Sequence, residues 1–166
     1  MRRAVRTVDG MRLSPVELGL LALAAVVVAT TIPRCGSGRV VVPARWDWTP
    51  GVLNPAVTQA TIASTVCRRG WTRTVRPPVD YTNALKQRQL RRYRLHGPPS
   101  AYQEDHLISL ELGGDPADPR NLWPEPYPRA SAVDQIENEL NRRVCTGSLS
   151  LAEAQRRESA LKHRDG

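Results

Sequence analysis

The stretch Tyr102–Pro124 reads YQEDHLISLELGGDPADPRNLWP, with an Asp105-His106 pair followed, after Gly113-Gly114, by Asn121 at the head of a short apolar segment. The three side chains are chemically distinct. A carboxylate anchors a hard cation such as Mg²⁺, and a neutral imidazole takes a proton from water near pH 7. An Asn amide either ligates a metal or clamps a loop. One divalent metal beside one general base is a tool set for phosphodiester hydrolysis.

Working outward, Tyr102 to Leu112 reads as a strand or hairpin arm with Gly113-Gly114 as its turn, 115–120 as a polar loop, and Leu122-Trp123 as a very short second strand. A helix is expected from about Ala130 to Val144, where Val133, Ile136, Leu140 and Val144 recur at helical spacing. A last helix is expected over 148–162, with Ser150 and Glu153 as a capping box. On the amino side, Asn54-Pro55 reads as the start of a short helix running to Cys67. Trp71 to Pro78 reads as extended. Tyr81 to Leu95 reads as a helix that buries Leu85, Leu90 and Tyr93 and exposes Arg88, Arg91, Arg92 and Arg94. Trp71 and Trp123 are expected in the core, because a small domain without Phe needs its indoles inside.

The 166-residue chain carries a net charge of +8, which favours a polyanionic partner, either nucleic acid or an anionic envelope. Arg2, Arg3, Arg6 and Arg12 precede an apolar run, LGLLALAAVVVATTI at 18–32. Charge on the amino side alone points to an export signal or a membrane anchor over 1–35, and both remain open. Residues 36–52 read as a linker and 53–166 as the domain. Export places the cysteines in an oxidising compartment, where Cys67 and Cys145 flank the motif and can staple it, leaving Cys35 over. Such a loop stabilises by about 4 kcal/mol in the chain-entropy model.

A strand with Asp-His, a loop with Asn, a short strand and then a helix is the order of a ββα-metal finger, and the segment from about Gln103 to Asn141 resembles the HNH endonuclease family. The resemblance implies an α+β fold with a ββα-metal core and flanking helices. It also implies a single divalent metal, Mg²⁺ first with Mn²⁺ or Zn²⁺ as alternatives, and cleavage of nucleic acid. Carried over by position, Asp105 is a metal ligand, His106 the base that activates water, and Asn121 the residue that ligates metal or fixes the loop. Many members add a ligand, commonly His, from the following helix. This chain has no His between His106 and His163, and Asp134 is the expected substitute, ahead of Glu137.

Arg88, Arg91, Arg92, Arg94 and Arg120, with Arg68 and Arg69, are expected to grip backbone phosphates without reading sequence. The expected function is therefore a metal-dependent, largely nonspecific endonuclease, exported or membrane-anchored, with DNA favoured over RNA. The main alternative is an envelope module that keeps the finger as an inactive scaffold and binds an anionic polymer through its Arg face. A cell-wall hydrolase is a further rival, and the sequence is silent on any inhibitor protein.

Overall fold

A computed structural model of the chain describes residues 41–166. The expected signal or anchor over 1–35 and Cys35 lie outside the described residues. No described helix is long and apolar enough to cross a membrane. The architecture is mixed α+β, with helices α1 (Trp71–Val75), α2 (Val79–Arg92), α3 (Tyr127–Cys145) and α4 (Leu151–Asp165) around an antiparallel pair, β1 (Tyr102–His106) and β2 (Leu122–Pro126).

The register sets Asp105 opposite Trp123, His106 opposite Leu122 and Gln103 opposite Glu125. Side chains alternate along a strand, so Gln103 and Asp105 share one face with Glu125 and Trp123. β2 runs further than Leu122-Trp123, passing through Pro124 and Pro126. Both strands of a two-stranded sheet are edges, so a proline's missing N–H need not break the ladder. β1 is shorter than the expected arm and stops at His106, after which a 3₁₀ turn at Leu110–Leu112 leads into Gly113.

α3 and α4 pack on each other, and α3 also packs on the sheet. In α3 the buried residues are Ala130, Val133, Leu140 and Val144, whereas Ile136 is 39% exposed. The steps 130, 133, 137, 140, 144 define the inward stripe. Ile136 falls one residue off it, and Glu137 takes the inward place. α4 starts one turn later than expected. Ser150 caps it by accepting the Glu153 N–H at 3.3 Å, and its buried stripe is Leu151, Ala154, Gln155, Glu158 and Lys162.

Three regions differ from their sequence reading on the amino side. Residues 54–67 form turns with a single 3₁₀ turn at Ile62–Ser64, because Thr61 spends its hydroxyl on the carbonyls of Ala56 and Thr58 and so holds local turns in place of a helix. Trp71–Val75 is helical where an extended run was expected: Gly70 at φ 81° turns the chain into it, and Arg76 is forced extended by Pro77. The stretch expected as a linker is packed from Val42 onward. Val42 and Ala44 are buried, the Trp123 indole N–H donates to the Val42 carbonyl at 3.1 Å, and the Ala44 N–H donates to the Lys162 carbonyl at 3.0 Å.

Trp123 is fully buried beside Val42, Leu90, Tyr102 and Leu107. A second apolar cluster joins Val57, Ile108, Leu112, Val144 and Ala154, with Trp71 and Cys67 packed against it. Cys67 and Cys145 are joined as a disulfide, tying the segment before α1 to the end of α3.

Candidate active site

The loop after β1 is held by Asn121. Its Oδ1 accepts the Ile108 N–H at 2.9 Å, and its Nδ2 donates to the carbonyls of Ile108 at 3.0 Å and Asp115 at 2.9 Å. The residue is fully buried, and its two bonds to Ile108 satisfy backbone groups that are buried with it. Gly114 makes room for this clamp: a Cβ there would lie 1.8 Å from the Ile108 oxygen and 2.6 Å from Asn121 Nδ2. Gly113 turns at φ 79° against Val57. The Gly-Gly pair and the Asn are thus one device, and it fixes the backbone that carries His106 into the loop.

Beside the end of β1 lies a polar cleft of about 220 Å³. Its wall comprises Gln103, Asp105 and His106, then Ser109 to Glu111 from the loop, Asp134, Glu137 and Asn138 from α3, and Arg76 from the Arg-Pro segment. Asp105, His106 and Asp134 are therefore brought together as expected. Asn121 is not on the wall, and of its two anticipated roles the loop clamp describes its contacts.

His106 Nε2 lies 3.0 Å from the Pro116 carbonyl oxygen. A carbonyl only accepts, so Nε2 carries the proton and Nδ1 keeps its lone pair. Burial holds the imidazole below its ordinary pKa, against the opposing pull of that bond and of Asp105. Near neutral pH His106 is an uncharged base of fixed tautomer.

Asp105 is buried, and burial alone would raise its pKa; the Lys162 ammonium overrides this and holds it below the usual range. Lys162 is fully buried. Its Nζ donates to Asp105 Oδ2 at 3.0 Å, Glu137 Oε1 at 2.5 Å and the His106 carbonyl at 2.5 Å, with Glu158 Oε1 at 3.4 Å. The Glu158 carboxylate accepts the Ser109 N–H at 3.0 Å on both oxygens. One ammonium cannot neutralise three carboxylates. Burial, with Asp105 and Glu158 close by, therefore pushes Glu137 well up, and burial likewise raises Glu158.

The acids extend across the cleft. Asp134 is raised by partial burial and then by Asp105, and Glu111 by burial and then by Asp134. Behind them, Glu125 is fully buried and pushed up to about 8 by burial and by Asp105. On the other face of β1, burial pushes Glu104 up to about 8 as well. None of the carboxyl oxygens of Glu104 and Glu125 has a partner among the described residues.

Among the described residues no group of three His, Cys, Asp or Glu side chains is placed to hold a metal ion. The expected trio of Asp105, Asn121 and Asp134 thus reduces to two carboxylates on the cleft wall. That donor set fits Mg²⁺ or Mn²⁺, hard cations that take one or two carboxylates and complete their shell with water and phosphate oxygens. It does not fit Zn²⁺, which wants at least three protein ligands.

Arg88, Arg91, Arg92, Arg94 and Arg120 are exposed, and none lies on the cleft wall. Arg120 is paired with Asp118, and Arg92 and Arg45 lie over the Trp48 ring at 4.8 and 4.1 Å. Arg68 and Arg69 line a neighbouring cleft that shares Glu111 with the first. The arginine on the cleft itself is Arg76, which the sequence reading passed over. Lys162 and Glu158 were missed too. Their signal was the four-residue spacing on the apolar stripe of α4, where two charges face inward together.

Compared with known proteins, the chain matches no family model, no curated protein and no solved structure.

Proposed function

We propose that the chain hydrolyses phosphodiester bonds in nucleic acid, with little sequence preference, using His106 as general base and β1, the loop, β2 and α3 as an HNH-like ββα-metal finger. The observation that carries this reading is the Nε2 bond to Pro116, which leaves the lone pair of the neutral ring on Nδ1, in a residue that lines one cleft with Asp105 and Asp134.

Asp105 and Asp134 would hold a Mg²⁺ or Mn²⁺ ion, which would supply charge neutralisation at the phosphate oxygens. The protein does the rest. His106 takes a proton from the attacking water, and its Nε2–H bond to Pro116 steadies the imidazolium that forms. Asn121 keeps the loop, and hence the ring's angle of approach, constant. Arg76 meets the phosphate on the cleft wall, with Arg68 and Arg69 next along, and the exposed Arg88, Arg91, Arg92 and Arg94 add attraction at longer range. The net charge of +8 and a disulfide that needs an oxidising compartment agree with a polyanionic substrate outside the cytosol.

The oxidised full chain, incubated with plasmid DNA and with RNA, should degrade at least one of them in Mg²⁺ or Mn²⁺. EDTA should stop the reaction, and His106→Ala should slow it by about 10²- to 10⁴-fold without weakening binding. A protein that binds both polymers equally well with and without EDTA, and cuts neither, is instead a binding scaffold. The ammonium already seated on Asp105 is the specific observation in favour of that second reading.

A further inference from the structure

We propose that Lys162 is an internal competitor for the cation seat: by holding Asp105 it keeps the free protein's affinity for a divalent ion low, so that the ion enters together with a substrate phosphate. This rests on the reading of Asp105 as part of that seat.

The geometry of the ammonium carries the argument. Its three protons meet three acceptors, Asp105 Oδ2 at 3.0 Å, Glu137 Oε1 at 2.5 Å and the His106 carbonyl at 2.5 Å. Its side chain has no exposure to water. The competition is not relieved by a swing of the side chain, because the residue is pinned from several directions. The Lys162 carbonyl accepts the N–H groups of Ala44 and Gly166, and its ammonium lies 5.2 Å from the centre of the Trp123 ring.

An incoming dication therefore meets a fixed positive charge on the carboxylate it needs, and like charges at this range in a poorly hydrated site repel strongly. The phosphate of a bound substrate restores the balance by adding negative charge and oxygen ligands at the same moment. Residues behind a metal site shift its affinity by about 10- to 100-fold, and Lys162 is expected to act on that scale.

The test is a Mn²⁺ titration of the oxidised full chain, without nucleic acid, for the wild type, Lys162→Met and Lys162→Gln. The Gln variant keeps a polar side chain while removing the charge. Both should bind Mn²⁺ about tenfold or more tighter than the wild type, and adding Asp105→Asn should abolish the gain. Unchanged or weaker binding by a folded variant, judged by circular dichroism, overturns the proposal. Should neither variant fold, the wild type still decides it: the ¹⁵N resonance of the Lys162 ammonium must move further with Mg²⁺ and inorganic phosphate together than with either alone, and a resonance that responds no more to the pair overturns it.

Nuclease activity is scored separately. A wild type that cuts DNA or RNA while the variants bind Mn²⁺ no better loses this inference alone. Tighter binding by the variants of a protein that cuts neither polymer loses the nuclease reading alone.

Discussion

Asn121 grips Ile108 through both of its backbone groups, accepting its N–H at 2.9 Å and donating to its carbonyl at 3.0 Å from one fully buried amide. An amide can do this because it is donor and acceptor at once, whereas a carboxylate can only accept. Asn121→Asp should therefore be disruptive, leaving the buried Ile108 carbonyl and the part-buried Asp115 carbonyl without donors, at about 1–3 kcal/mol for the buried one. Chemical denaturation measures the loss. An Asp variant as stable as the wild type, with tighter Mn²⁺ binding, would return this residue to the role of metal ligand.

Gly114→Ala should be among the most damaging single changes in the domain. The added methyl would sit 1.8 Å from the Ile108 oxygen, a backbone atom that cannot turn aside. A loss of about 3 kcal/mol or more is expected, or failure to fold, because overpacking here is absorbed by the loop that holds the site. A thermal melt of the variant checks it, and a Tm near that of the wild type would refute the clamp geometry.

The pH dependence of cleavage should follow His106. Burial lowers its pKa, so the neutral base is already abundant at pH values where an exposed imidazole is still half charged. The rate should rise with pH with its midpoint below about 6.5, the ordinary value for His. A profile whose midpoint lies above that value would remove His106 as the base.

Glu104 and Glu125 make a separate prediction about stability. Their folded-state pKa values, both about 8, lie above the unfolded value of 4.5. The folded protein therefore binds more protons than the unfolded chain between those limits, and stability falls as pH rises through that window. Glu104→Gln and Glu125→Gln should raise Tm at pH 9 while changing it little at pH 4. Equal effects at both pH values would mean that the two carboxyl groups titrate normally.

Reduction should weaken the domain. Cys67 and Cys145 are 78 residues apart in sequence, and closing a loop of that size restricts the unfolded chain by about 4 kcal/mol. A paired Cys67→Ser and Cys145→Ser variant, or the wild type in reductant, should show this as a lower denaturation midpoint. An unchanged midpoint would mean that the bridge does not form in solution.

The sequence made the α+β class legible because periodicity in 81–95 and 130–144 and the turn chemistry at Gly113-Gly114 are local signals. The same holds for Ser150 as a cap, while the pairing of Cys67 with Cys145 followed from cysteine count and expected compartment. Asp105, His106 and Asp134, which line the cleft, were singled out by chemical type and order. Lys162 was not, because its partners Asp105 and Glu137 lie 57 and 25 positions away, and polar residues on a helix are ordinarily read as its solvated face. Asn54 to Cys67 misled for a related reason: a cap-like Asn-Pro start and spaced apolar residues promised a helix, but the Thr61 hydroxyl competed for the backbone carbonyls that a helix needs.

The bridge between Cys67 and Cys145 closes a ring that contains Asp105, His106 and Asp134, while Lys162 stands outside it on α4. The base and the acids therefore share a covalent hoop, whereas the cation among them is contributed by a helix bound only through packing and hydrogen bonds. Loosening α4 alone would take the ammonium off Asp105 and leave the hoop, with Arg76 on the cleft wall, intact. Amide exchange in α4 faster than in α3 would be the physical trace of that unequal tethering.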